Sequence, residues 1–146
     1  MLRGIPFEIS PQLLRILAEM GHGDRICFGD EYFPANSMAE KGRVVRADGI
    51  DVVTMVDAVM KLLPLDHWTD CAVTFMGRPD ETGKLVSSPV TEKMTETIAK
   101  YDPEAAASAQ YIERFAFYDM ARTSYVVVHT GETENYGCII LQKGVK

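Results

Sequence analysis

His22 sits between two glycines in the stretch LAEMGHGDRICFGD, with Asp24 and Asp30 close behind it. Histidine, with an unperturbed pKa near 6.5, gives and takes a proton at neutral pH. Glycines on both sides remove bulk, so the imidazole and its backbone can approach a small ligand closely. The same residues also suit a plain helix end, where a cationic imidazole complements the helix dipole. Asp30 follows an apolar run. A carboxylate at the carboxyl end of a sheet strand is well placed to hold ligand hydroxyls, while a solvated turn aspartate is the commoner reading of such a position. Asp24 is nearer to His22 and competes for the same role.

A second candidate is GETENYGC, residues 131–138, between two strongly β-branched runs. Its glycines expose backbone amides, and Tyr136 offers a ring face and a hydroxyl. A hairpin turn is the alternative reading. No helix follows and no Lys-Ser/Thr pair closes the stretch, so it is not a P-loop. His67 and Trp68 read as a surface loop at a helix exit, and Asp66 beside His67 is unsuited to share one target with it. His129 reads as a core or interface histidine. The three histidines lack metal-ligand spacing, so no metal is expected.

These residues need elements to hold them. Ser10-Pro11 is a hydroxyl cap followed by proline, opening a helix whose stripe is Leu13, Leu14, Leu17 and Met20 and whose stop is Gly21. RICF (25–28) reads as a strand and YFPANS as loop. RVVRADG (43–49) is a strand and turn. Asp51 caps a second helix ended by Pro64. CAVTFMG (71–77) is a strand, RPDETGK a polar turn, and Ser88-Pro89 the start of a third helix. DPEAAASAQYI is ambiguous between helix and strand. RFAFYDMART (114–123) fits a helix, while SYVVVHTGE and CIILQKG are strands. Helices alternating with strands predict an α/β layered domain with a mixed, largely parallel sheet.

The chain has 146 residues, a length that suits one domain without a disulfide or metal staple. Its net charge of −6 repels phosphate backbones, which argues against nucleic acid as a partner. Cys27, Cys71 and Cys138 are odd in number, far apart and in apolar runs, as in a reducing compartment. The opening MLRGIPFEIS has no long apolar core, and no window reaches ~18 apolar residues. A soluble, cytoplasmic protein with no membrane partner is expected.

Taken together, ISPQLLRILAEMGHGDRICFGDEYFPANSM, RFAFYDMA and TGETENYGCIILQKGV resemble the fucose mutarotases, relatives of the ribose pyranases. The likeness runs from Ile9 to Val145 and is loosest between about residues 64 and 110. The resemblance implies a single mutarotase-like domain over residues 1–146, a compact three-layer α/β fold assembled into rings, typically decamers, and monosaccharide sites at subunit boundaries. It places the catalytic proton donor on His22 and sugar contacts on Asp30, Arg114, Tyr136, Gly137 and Cys138. This chain departs from the family at Cys138, where a fucose mutarotase usually has asparagine. The resemblance assigns no role to the longer middle stretch, residues 77–88.

Exchanging the α and β anomers of a reducing sugar means opening and reclosing its ring. The ring oxygen gains a proton and the anomeric hydroxyl loses one, so proton transfer suffices and no cofactor is expected. Phe33, Phe117 and Met38 are candidates for the wall against the methyl of a deoxy sugar such as L-fucose. A ribose pyranase and a non-catalytic monosaccharide-binding module are the competing readings.

Overall fold

The computed structural model describes residues 2–146. Helix α1 (Pro11–Glu19) begins where the sequence signals it: the Ser10 hydroxyl accepts from the Leu13 amide at 3.1 Å, and proline follows. Strand β1 (Arg25–Gly29) comes next. The YFPANS stretch, read as loop, contains the one-turn helix α2 (Ala35–Met38), because Ala35 and Met38 bury against the sheet. Then come β2 (Val44–Ala47) and α3 (Val52–Met60), capped by the Asp51 carboxylate, and β3 (Val73–Met76). Cys71 lies before β3 rather than in it, and its thiol donates to the Val73 carbonyl at 2.8 Å.

The polar turn after β3 is a small hairpin of β4 (Arg78–Pro79) and β5 (Leu85–Val86). Helix α4 (Pro89–Ala99) opens with reciprocal Ser88 and Thr91 caps. Removing that hydroxyl in Ser88→Ala is expected to cost about 1 kcal/mol. The loss would appear as a lower urea midpoint at unchanged slope. The ambiguous stretch after α4 divides into α5 (Pro103–Ala107) and β6 (Gln110–Ile112): Asp102 and Pro103 start a helix too short to reach the apolar end. The chain closes with α6 (Arg114–Thr123), β7 (Val126–Thr130) and β8 (Ile139–Gln142).

Six strands form one sheet in the order β2-β7-β1-β8-β3-β6. The β2–β7, β7–β1 and β3–β6 pairs are parallel, and β8 runs antiparallel between β1 and β3. The sheet is thus mixed and largely parallel. Because β1 lies between β7 and β8, residues 131–138 are a crossover and not a hairpin.

Burial on both faces explains why the central strands read as continuous apolar runs. Ile26, Phe28, Val126, Val128, Ile139 and Leu141 pack on one face against α1, α3 and α4. The alternate residues Cys27, Val127 and Ile140 face the other side, packing with Cys138, Phe33 and Phe117 under α2 and α6. The result is three layers. No helix among the described residues is long and apolar enough to cross a membrane.

Candidate functional site

The parallel strands β1 and β3 end at the same edge of the sheet, where β8 begins. Asp30 follows β1, Met76 ends β3, and Cys138 precedes β8. Helix α6 starts at that edge because the Glu113 carboxylate accepts from the Phe115 and Ala116 amides at 2.9 and 3.1 Å. That cap sets Arg114 on the first turn. A cavity of about 290 Å³ opens here, lined by Asp30, Tyr32, Phe33, Met76, Arg114, Tyr118, Asn135, Tyr136 and Cys138. A larger groove of about 420 Å³, lined by Leu2, Ile5, Phe7 and Leu14 among others, is mostly apolar and holds none of the candidate residues.

Asp30 is buried and held from several sides. Its Oδ1 accepts from the Tyr32 amide at 3.1 Å, and its Oδ2 from the Cys138 thiol at 3.4 Å. Burial pushes the Asp30 carboxyl up; the Cys138 thiol and the amides of Tyr32, Gly137 and Phe33 oppose it. The Cys138 thiol is also raised, chiefly by burial and then by the Asp30 charge, so it is a poor nucleophile at neutral pH. The guanidinium of Arg114 lies 4.6 Å from the Phe115 ring centre and 6.0 Å from that of Tyr118. Ring faces restrain it, and its planar donors suit pairs of hydroxyls.

Tyr136 has φ 65°, the left-handed region that a bulky residue rarely adopts. Strain of this kind concentrates at ligand sites. Gly137 follows, where an added Cβ would lie 2.6 Å from Cγ of Glu132. A side chain at 137 would crowd Glu132 and the Glu134 carbonyl within this connection.

The pKa direction at Asp30 has a testable sign. An acid whose folded value lies above 3.8 binds more protons folded than unfolded just above that pH. It therefore subtracts stability as pH rises through the window between the two values, and the penalty is then constant. Asp30→Asn removes the penalty, so its stability advantage over the native chain should grow across that window and level off. Urea unfolding of both proteins from acid to neutral pH reads the difference; a flat difference would show that burial does not set this carboxyl.

His22 is not in this cavity. It precedes β1 while Asp30 follows it, and a five-residue strand spans about 17 Å. Its Nε2 donates to Asp66 Oδ1 at 3.1 Å, and the Trp68 amide donates to the same oxygen at 2.9 Å. Gln142, at the far end of β8, donates to Asp66 Oδ2 at 2.9 Å. The Trp68 amide, opposed by burial and aided by Gln142 and His22, holds the Asp66 carboxyl below the usual range. An ionised Asp66 fixes the proton on Nε2 and leaves Nδ1 of neutral His22 with its lone pair free.

Neither sequence neighbour orients the imidazole. Asp24 instead accepts from the Gly21 amide at 2.7 Å, closing the turn, and Gly23 at φ 84° supplies its left-handed corner. His67 pairs with Asp102 at 2.8 Å. His129 is buried, donating from Nε2 to the Glu31 carbonyl at 3.2 Å while its Nδ1 has no partner.

One chain thus brings Asp30, Arg114, Tyr136 and Cys138 together, with Gly137 packed behind them, and sets His22 at the opposite sheet edge. Of the proposed methyl wall, Phe33 lines the cavity, whereas Phe117 and Met38 are buried beneath it. Met76, Tyr118, Tyr32 and Asn135 line it unforeseen. Asp66, read above only beside His67, pairs with His22 instead, 44 residues away with no local pattern linking them.

The model of the RbsD / FucU transport protein family matches residues 3–146. The chain belongs to the RbsD/FucU family. It is 42% identical over 145 residues to the L-fucose mutarotase of Actinobacillus pleuropneumoniae serotype 5b (strain L20), covering 99% of this chain and 97% of that one. Among solved structures, FucU from Bifidobacterium longum superposes with a TM-score of 0.91 at 38% identity, covering 99% of both chains. The fucose mutarotase of Streptococcus pneumoniae, solved in complex with L-fucose, gives 0.86 at 34%, also over 99% of both. Bacillus subtilis RbsD complexed with D-ribose gives 0.73 at 16% and shares the fold alone. Within the RbsD/FucU family, this chain lies nearer the fucose mutarotases.

Proposed function

We propose that this protein is a mutarotase, an isomerase that interconverts the α and β anomers of L-fucose or a similar monosaccharide. The observation that carries this reading is the polar cavity at the carboxyl edge, where Asp30, Arg114 and Tyr136 converge. It occurs in a chain 42% identical to an L-fucose mutarotase along nearly its whole length. Asp30 accepts and Arg114 donates to sugar hydroxyls; Tyr136 hydrogen-bonds or stacks. Phe33 and Met76 form the apolar wall a methyl group needs.

His22 is the proton carrier. Its Nδ1 takes the anomeric hydroxyl proton and returns one to the ring oxygen, directly or through water; rotation about C1–C2 and reversal close the other anomer. The chemistry moves protons only. Since β1 separates His22 from Asp30 in one copy, the complete site draws His22 from a second copy. This supports self-association into a closed ring, a decamer by family resemblance. Apolar side chains left exposed, Leu2 and Phe7, suit such contacts.

The test is exchange spectroscopy by NMR on equilibrated L-fucose, D-ribose and D-galactose with and without the protein. Faster α/β exchange, greatest for L-fucose, is the expected result. Faster pyranose/furanose exchange confined to ribose would favour a pyranase, and binding without faster exchange would leave only a sugar-binding module.

A further inference from the structure

We propose that Trp68 is the aromatic platform on which the sugar ring rests while His22 exchanges protons with it. The inference depends on the reading of His22 as proton carrier. Trp68 is 78% exposed, so its indole contributes little to the core of its own chain. It packs nearly perpendicular to His22, at 82° with ring centres 4.8 Å apart. One oxygen, Asp66 Oδ1, accepts from both His22 Nε2 and the Trp68 amide. A single buried carboxylate therefore sets the imidazole and the indole backbone together.

With ring centres 4.8 Å apart, a ligand the size of a sugar ring held at the imidazole can also meet the indole. A pyranose offers both things this pair can use: a proton-bearing hydroxyl at one carbon and a patch of C–H groups on a ring face. An indole face is broad, rigid and apolar, with a polar edge that tolerates water. The cavity around Asp30 supplies hydroxyl partners but no exposed indole face. The two halves then divide the work. One copy grips hydroxyls, and the other brings the proton carrier and the stacking surface. Sugars with an unbroken C–H face are favoured over those with hydroxyls projecting from both faces.

The chain contains one tryptophan, so its emission reports this position alone. Titrating L-fucose should change that emission saturably, with a midpoint matching the KM for anomer exchange by NMR. Trp68→Ala should raise KM about tenfold, equivalent to one stacking contact, with a smaller change in kcat. Trp68→Phe, which keeps a ring face, should recover most of the loss. Sizing chromatography of each variant accompanies the kinetics.

Fast exchange with a flat emission and an unchanged Trp68→Ala KM would overturn the platform while leaving the mutarotase reading intact. A Trp68→Ala loss that follows a change in oligomer size would also overturn it, marking Trp68 as a packing residue between copies. Saturable emission without accelerated exchange would sink the mutarotase reading and the proposal with it, leaving Trp68 as a sugar contact that serves no proton exchange.

Discussion

In His22→Ala, acceleration of L-fucose anomer exchange falls by about 10²–10⁴-fold, the usual contribution of a positioned acid–base group. The side chain is partly exposed and contributes one hydrogen bond, so the fold survives the change. Circular dichroism and thermal unfolding should be close to native while exchange approaches the solvent rate. Asp66→Asn should give an intermediate loss. The amide keeps the shape but can offer its N–H₂ to the ring, so the proton no longer belongs on Nε2 and Nδ1 is no longer reliably the base. Native exchange rates in His22→Ala would remove His22 from the mechanism.

Mixed assemblies of two inactive variants should recover activity. His22→Ala retains the cavity of Asp30 and Tyr136, and Arg114→Ala retains the imidazole; neither has a complete site in a homogeneous ring. Co-expressed in equal amounts, they place an intact imidazole beside an intact cavity at about a quarter of the boundaries, by random pairing of copies. Exchange should therefore return to about a quarter of the native level from two preparations that each show almost none. The reasoning rests on β1, which holds His22 and Asp30 at opposite edges of the sheet in every copy. A mixture no more active than its components would show that His22 and the cavity do not share a site.

Much of the local structure was legible in the sequence because short-range physics decides it. Ser10 and Ser88 cap helices through amides three residues away, and proline at the next position has no amide hydrogen to lose. RFAFYDMART becomes α6 with the bounds its periodicity suggests. The weaker readings lie where tertiary contacts overrule local signals. A single turn at Ala35–Met38 is too short to announce itself and forms because its apolar side chains find the sheet. Residues 131–138 have the composition of a hairpin turn, yet β1 inserts between the strands they join. A turn's composition records its local geometry and not which strands it connects.

The candidate site divides the same way. By itself, the sequence singled out His22, Asp30 and Tyr136 as side chains of suitable chemistry, with Arg114 added by the family resemblance, and placed Asp30 after a strand, where α/β sheets hold ligands. The alternation of helices with strands also pointed to a layered α/β domain with a mixed, largely parallel sheet. Only the tertiary structure decided which carboxylate serves the imidazole. Asp24 lies two residues from His22 and is committed to a backbone amide; Asp66, 44 residues away, accepts the hydrogen bond of the ring Nε2–H. Only the tertiary structure placed Trp68 beside His22, and His22 at the opposite edge from Asp30. The physical reason is that hydrogen bonds and ring contacts act over a few ångströms of space, and strand pairing makes distant residues neighbours while holding near ones a strand's length apart.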